Sequence, residues 1–278
     1  MYERIVEQIV ELIRKDEQFI DFASYPLRGK QTSGEIILKV DNIVLSGVSI
    51  VNEVLKKFSV ESKFYHADGE LVSSGVIAEL TGDSYNILIC ERTILNVLSF
   101  MSSIATKVNQ LVTKAKGTNV IIAATRKTIP FAGELQKIAV IHGGGDTHRL
   151  NLSDCAMIKD NHIKLYGSVS EAIRQVRKAL SFSKKIEVEV ENEKMAMEAC
   201  KEGADIVMLD NFGPEQAYLT AKRIKEKYPN VIIEISGGIN EQNLEKYLCE
   251  YIDVISIGRI TSEIKYVDFS LEISSQVT

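Results

Sequence analysis

Apolar residues recur every three to four positions at the start of the chain. Ile5, Val6, Ile9, Val10, Leu12 and Ile13 fall on one side of a helix, with Glu, Gln and Lys opposite. After a polar connector come "EIILKVDNIVLSGV", a second helix from Ser49 to about Phe58, and strand-like runs at "ESKFYH" and "GVIAELTG". The stretch "YNILICERTILNVLSFMSSIATKVNQLVTKAKG" has no Pro and no Gly until its end, which predicts one or two helices. From Asn119 the rhythm changes to short runs rich in Val, Ile and Ala: "NVIIAA", "IAVIHGG", "CAMIKD", "KKIEVEVE", "ADIVMLD", "NVIIEIS" and "DVISIG". Helical patterns such as "SVSEAIRQVRKAL", "EKMAMEACKEG" and "GPEQAYLTAKRIKEKYP" lie between several of them. Continuous apolar runs alternating with helices read as parallel strands covered by helices. The tail "VDFSLEI" alternates Val267, Phe269, Leu271 and Ile273 with polar residues, as a half-buried strand returning to the sheet of the N-terminal domain does.

The seven runs are compatible with an open doubly wound sheet or with a barrel. The residues that follow them decide. The first run ends in Arg126-Lys127, the second leads to His148-Arg149, and the third ends in Lys159-Asp160. The fourth carries Glu189, the fifth ends in Asp210-Asn211, the sixth in "SGG" at Ser236, and the last at Gly258. An open sheet concentrates ligand contacts at one switch point, whereas a barrel gathers every strand end around one mouth. The expectation is an α/β protein: an N-terminal α+β domain with a small sheet over 1–105, rejoined by 266–278, and a barrel over 106–265.

Composition narrows the function. The 278 residues carry a formal net charge of −5, so no global basic field favours nucleic acid or an anionic membrane. Cys90, Cys155, Cys200 and Cys249 lie far apart with no C-x-x-C pair, which suggests neither a zinc site nor a disulfide framework. "MYERIVEQIVELIRK" is charged throughout and reads as neither signal peptide nor membrane span, so a reduced, soluble, cytoplasmic protein is expected.

Against that acidic background, Arg92, Arg126, Lys127, His148, Arg149 and Lys159 stand on or near apolar elements. Cations gathered in one cleft imply a multiply anionic ligand: arginine forks suit carboxylate and phosphate oxygens, and lysine adds a point charge. The turns at Ser236-Gly237-Gly238 and at Gly258 can offer backbone N–H groups to a phosphate. Glu189 and Asp210, on adjacent strands, could hold Mg²⁺ or stabilise a developing cation. Each element also has a plainer reading: Arg92 as a structural ion pair, "TRK" as a solvated turn, and Glu187, Glu189 and Glu191 as the polar face of one strand. "GGGDTH" lacks the G-x-G-x-x-G spacing of a dinucleotide turn and is expected to let the backbone turn sharply, aiming His148 and Arg149 into the mouth.

Taken in order, "ERTILNVLS", "ATRKT-P", "GGG--HR-NLSD--MIKDNH", "EVEVEN", "ADIVMLDN", "EISGGI" and "DVISIG" resemble the quinolinate phosphoribosyltransferases. The resemblance runs clearly from about Leu71 to Ile273. It implies an N-terminal α/β domain joined to an incomplete, seven-stranded α/β barrel, in dimers or larger assemblies. It also implies a reaction: quinolinate and phosphoribosyl pyrophosphate give nicotinate mononucleotide, pyrophosphate and carbon dioxide, with Mg²⁺. Arg126, His148, Arg149 and Lys159 would then surround the two quinolinate carboxylates, and Arg92 would reach the neighbouring subunit's site. Lys127, Glu189, Asp210, Ser236, Gly237, Gly238 and Gly258 would serve the phosphoribosyl pyrophosphate and its metal, with Lys127, Lys159, Glu189 and Asp210 as the catalytic set.

Three segments depart from the family pattern. "DEQFIDFASYPLRGKQTSGE" stands in place of the common "ED-G-GD-T", "TRKTIPFAGEL" lacks the usual "PG-R", and "GRITSE" replaces "GALTHS". "KDNH" at Lys159–His162 is intact, whereas a paralogue linked to molybdenum transport loses it. The alternatives are a paralogue acting on another pyridine or azole carboxylate and a non-catalytic binder of phosphate ligands. Glu189 and Asp210 speak against the binder, because anion binding has no use for two acids in a basic mouth.

Overall fold

The structure is a computed structural model that describes residues 3–276. In chain order it runs α1 (Glu3–Glu17), β1 (Gln31–Leu38), β2 (Ile43–Val44), α2 (Val48–Lys57), β3 (Glu61–Phe64), β4 (Leu71–Val72), β5 (Gly75–Asp83), α3 (Ser84–Ala115), β6 (Ile121–Ala123) and α4 (Gly133–His142). There follow β7 (Ala156–Ile158), α5 (Asp160–Tyr166), α6 (Val169–Ala179), β8 (Ile186–Val190), α7 (Glu193–Lys201), β9 (Ile206–Asp210), α8 (Pro214–Lys227), β10 (Ile232–Ser236), β11 (Val254–Ser256), α9 (Arg259–Ser262) and β12 (Phe269–Gln276). The chain divides into two compact units: one holds residues to Asn109, Ile129–Gly144 and those from Glu263 onward, the other Gln110–Thr128 and Gly145–Ser262.

The first unit is built on an antiparallel sheet of order β12-β1-β5-β3. Thr32, Gly34, Ile36 and Leu38 alternate inward on β1, the period of a sheet buried on one face. The C-terminal strand pairs with β1, Ile36 opposite Leu271 and Leu38 opposite Phe269, so the alternation of the tail does close this sheet. In α1, Ile5, Val6, Ile9, Val10 and Ile13 are buried as the pattern predicts, but Leu12 is 57% exposed and lines a surface groove with Phe100 and Tyr266. The long apolar stretch is the single helix α3, apolar enough by length and composition to cross a membrane. Its burial among Ile94, Leu98, Met101, Ala105 and Val108 is that of a core helix.

The second unit carries a six-stranded parallel sheet of order β6-β11-β10-β9-β8-β7. The run "IAVIHGG" is not one of its strands: it is the end of α4, in the first unit. Four or five consecutive apolar residues do not distinguish a buried helix from a strand, and the helix formers Glu134, Leu135, Gln136 and Lys137 just before them decide for helix. The seventh position is held by one residue. Asp146 bridges Ala123 in parallel, donating its N–H to Ile122 O at 2.8 Å and accepting from the Ala124 N–H at 2.9 Å. The ring of strands is therefore incomplete, with no ladder joining Asp146 to β7 among the described residues.

The glycines that precede Asp146 serve the turn. A Cβ on Gly143 would lie 2.5 Å from Ala105 O and 2.6 Å from Val108 Cβ, so only glycine lets the end of α4 pass α3. Gly144, at φ +85°, then reverses the chain.

On the sheet, Val188, Val190, Val207, Leu209, Ile233 and Ile235 are buried beneath the helices. The alternate positions, Glu187 and Glu189, Ile206, Met208 and Asp210, Ile232, Glu234 and Ser236, line the lumen. This period-2 alternation puts side chains of one strand in successive layers, from the N-terminal end of the barrel to its C-terminal mouth.

Candidate active site

The C-terminal ends of the parallel strands enclose a cavity of about 510 Å³. Arg126, Lys127, His148, Arg149, Lys159, Glu189, Asp210, Ser236, Gly237 and Gly238 all line it. Gly258 lines an adjoining cavity of about 230 Å³ with Lys127, Ser236, Gly237, Gly238, Ser256, Arg259 and Ser262. Arg92 is exposed on α3 and lines neither cavity.

Each group is held by local structure. Thr125 Oγ1 accepts the Lys127 N–H at 3.1 Å, and Thr261 Oγ1 donates to the Lys127 carbonyl at 2.7 Å, which pins the backbone after β6 while the Arg126 and Lys127 side chains stay exposed. Lys159 is the residue before α5, and its N–H donates to His162 Nδ1 at 3.0 Å, so His162 caps that helix. Lys159 Nζ pairs with Glu189 Oε2; the lysine side chain is 41% exposed and the carboxylate 19%. Asp210 receives a hydrogen bond from Asn211 Nδ2 at 2.7 Å. Burial raises the Asp210 carboxyl above its ordinary range, and the charge of Glu189 pushes the same way against Lys159 and Lys127. Arg149 extends along the lumen, its Nη2 3.0 Å from Met157 Sδ and its Nη1 3.5 Å from Cys155 O.

His148 is the most constrained group. Its φ is +53°, in the left-handed region, and its N–H donates to Asp146 Oδ1 at 2.6 Å. Its Nε2 lies 3.0 Å from Glu234 Oε2 and 3.6 Å from Glu187 Oε1, and its Nδ1 lies 2.7 Å from the Arg149 amide N. Burial opposes charge on the ring, while the hydrogen bond to Glu234 and the charges of Glu187 and Glu234 favour it and raise the imidazole above its ordinary value. The Arg149 amide works the other way, since a doubly protonated ring would set N–H against N–H at 2.7 Å. That contact puts the ring proton on Nε2, and the carboxylates act by strengthening its bond to Glu234. Both oxygens of Glu187, which is fully buried, lack a hydrogen-bond partner, and burial raises this carboxyl toward its neutral form. His148, Glu187 and Glu234 are close enough to ligate a metal, but a ring protonated on Nε2 has no lone pair to give there.

Thr125, Met157, Met208, Asn211, Glu234 and Ser256 line the larger cavity and were not singled out from sequence. A signal for them exists. Met157, Met208, Glu234 and Ser256 each stand two residues before Lys159, Asp210, Ser236 and Gly258, and residues two apart on a strand share a face.

Residues 20–102 match the sequence model of the quinolinate phosphoribosyl transferase N-terminal domain, and residues 104–272 that of its C-terminal domain. The chain belongs to the quinolinate phosphoribosyl transferase family. It is 42% identical to a probable carboxylating nicotinate-nucleotide pyrophosphorylase of Methanothermobacter thermautotrophicus, over 97% of this chain and 99% of that one. A protein of the same description from Methanocaldococcus jannaschii is 46% identical over 88% of each chain. Among solved structures, NadC from Streptococcus pyogenes superposes with a TM-score of 0.93 at 32% identity, covering 100% of this chain and 99% of that one. The Streptococcus pyogenes protein thus shares the mixed α/β architecture described above, a small antiparallel sheet and a parallel sheet with helices.

Proposed function

We propose that this chain is the enzyme that joins quinolinate to phosphoribosyl pyrophosphate, releasing carbon dioxide and pyrophosphate and leaving nicotinate mononucleotide, a step of de novo NAD biosynthesis. The observation that carries the reading is the charge pattern of the 510 Å³ cavity: Arg126, Arg149 and Lys159 beside Glu189 and Asp210, in a chain of this family. A dicarboxylate and a triply phosphorylated sugar call for cations gathered in one cavity, and a simple anion site would exclude the two acids.

In this reading Arg126, Arg149 and Lys159 hold the substrate carboxylates and orient the pyridine nitrogen toward the anomeric carbon of the ribose. The nitrogen–carbon bond forms as the bond to pyrophosphate breaks, and positive charge develops on the sugar. Glu189 and Asp210, fixed at the ends of β8 and β9, stabilise that charge without reorganising. The alkylated pyridinium then accepts the electron pair left when the adjacent carboxylate departs as carbon dioxide, and a proton completes the product. Lys127, Ser236, Gly237, Gly238 and Gly258 bind the phosphates, Ser236 to Gly238 through a turn with two left-handed glycines.

The same two acids suit Mg²⁺: both line the cavity, and the charge of Glu189 already disfavours ionised Asp210, a repulsion a divalent cation relieves. The chemistry it supplies when bound is neutralisation of the pyrophosphate leaving group. The reading includes a cytoplasmic homodimer or larger assembly with Arg92 serving the neighbouring site. Arg92 is exposed, and the first unit carries a surface groove lined by Leu12, Phe100, Ile129 and Tyr266, which fits a second copy.

The test is an incubation of purified protein with quinolinate, phosphoribosyl pyrophosphate and Mg²⁺, following nicotinate mononucleotide and carbon dioxide together. Product that requires all three components is expected. Folded protein that makes none, or that turns over another pyridine carboxylate instead, overturns the reading.

A further inference from the structure

Beneath the mouth, the lumen opens into a second cavity of about 590 Å³, lined by residues at the strand starts, Ile121, Ile206, Ile232 and Val254. His148, Arg149 and Glu234 border both cavities, and Glu187 the lower one. They form a polar layer between the two, in which His148 and Arg149 are half-buried and Glu187 and Glu234 are 0% and 2% exposed. Neither ring nitrogen of His148 is available to a ligand in the mouth. Nε2 is directed at Glu234 and Glu187, and Nδ1 accepts the amide of the next residue.

Among the described residues the hydrogen-bond partners of the Arg149 guanidinium are weak, a thioether sulfur at 3.0 Å and a carbonyl at 3.5 Å. Its direction is set instead by its backbone. The left-handed His148, its N–H on Asp146 Oδ1 and its ring on the Arg149 N–H fix the peptide from which that side chain departs.

We propose that His148 and Glu234 are positioning residues for Arg149: Glu234 holds the imidazole as the Nε2–H tautomer, Nδ1 holds the Arg149 amide, and the guanidinium thereby meets the substrate carboxylate in one register. The part of this that concerns the carboxylate rests on the function proposed above; the tautomer does not.

The two parts have separate readouts. Nitrogen-15 NMR of the ligand-free protein, labelled at its four histidines, reads the tautomer. The resonances lost in a His148 variant identify the ring. The expected signature is a protonated Nε2 and an unprotonated Nδ1, and a ring protonated on both nitrogens overturns the proposal whatever the turnover.

Kinetics read the rest. The Oδ1 of an asparagine sits where Nδ1 does, can accept the Arg149 amide, and asparagine tolerates a left-handed φ. His148→Ala is expected to raise KM for quinolinate about tenfold, the loss of one buried hydrogen bond, with KM for phosphoribosyl pyrophosphate little changed. His148→Asn should recover most of that loss. Equal losses in the two variants, or a loss confined to kcat, would mean that the ring itself acts on the substrate, and the proposal fails. Glu234 gives an independent pair should a His148 variant not fold. Glu234→Gln keeps an acceptor for Nε2–H and should hold both tautomer and KM close to their original values. Glu234→Leu removes the acceptor and should yield mixed tautomers with KM raised as in His148→Ala. Identical behaviour of the Gln and Leu variants refutes the role of Glu234.

Discussion

Replacing two adjacent glycines by alanine should give unequal results, and the inequality is calculable. Gly237 has φ +96° and Gly238 φ +64°, so a Cβ strains the backbone at either position, by about 1–2 kcal/mol. The space around them differs. A Cβ on Gly238 meets nothing within 4 Å, whereas on Gly237 it would lie 2.3 Å from Asn211 Oδ1 and 2.8 Å from the Asn211 backbone N. Asn211 must therefore move. Its N–H bond to Ser236 O at 2.9 Å and its Nδ2 bond to Asp210 Oδ2 at 2.7 Å are then lost or stretched. Losing the charged one of these costs about 1.5–3 kcal/mol. Gly237→Ala should thus be about 2–3 kcal/mol less stable than Gly238→Ala, a difference in Tm on the order of 5–10 °C. Because Asn211 also steadies Asp210, Gly237→Ala should lose more turnover than Gly238→Ala. Thermal unfolding at fixed pH, paired with kcat and KM for phosphoribosyl pyrophosphate, measures both. Equal Tm values for the two variants would refute the packing argument, since the backbone strain alone does not separate them.

Three further outcomes follow from the same structure. Lys159→Met leaves Glu189 without its cation and the substrate carboxylate without a ligand; kcat/KM should fall about 100-fold, chiefly through KM for quinolinate, and an unchanged KM would remove Lys159 from the carboxylate site. His142, whose Nδ1 lies 2.8 Å from Ser46 Oγ, is held below its ordinary value by burial, against the opposing charge of Asp68. The unfolded chain therefore binds more protons in the window just below about 6.5, so this contribution is intact above that pH and lost as pH falls through the window. His142→Gln should flatten that part of the stability–pH curve, and an unaltered slope would show the imidazole does not stay neutral. All four cysteines are free, and burial pushes Cys90 up to about 12 and Cys155 and Cys200 to about 11. A disulfide-exchange reagent at pH 8 should label the native protein slowly and all four thiols once it is unfolded; a fast native phase at Cys90 would contradict its burial.

Much was legible in the sequence because it depends on short-range periodicity. The inward face of α1, the returning tail and the parallel strands with their covering helices follow short-range patterns of apolar residues, and burial enforces those patterns wherever the chain packs. The site residues that end or follow β6, β7, β9 and β10 were legible because a parallel barrel turns its strand ends toward one mouth; His148 and Arg149 reach it after Asp146, not after the strand expected at "IAVIHGG".

Tertiary structure alone decided the rest. "IAVIHGG" is apolar enough for a strand or a helix, and its packing against α3 through Gly143, together with Asp146 taking the seventh place beside β6, chose between them. Glu234 is the one charged residue of "NVIIEIS" and carries no local signal of a role; the left-handed turn that brings His148 over it joins the two with Glu187 into one polar unit. The protonation of that histidine depends on a backbone amide one residue away and two carboxylates 39 and 86 residues away. Pairings of that kind arise from the closure of the sheet, in which residues far apart in sequence fall into one layer of the lumen, and no local pattern of hydrophobic and polar residues encodes them.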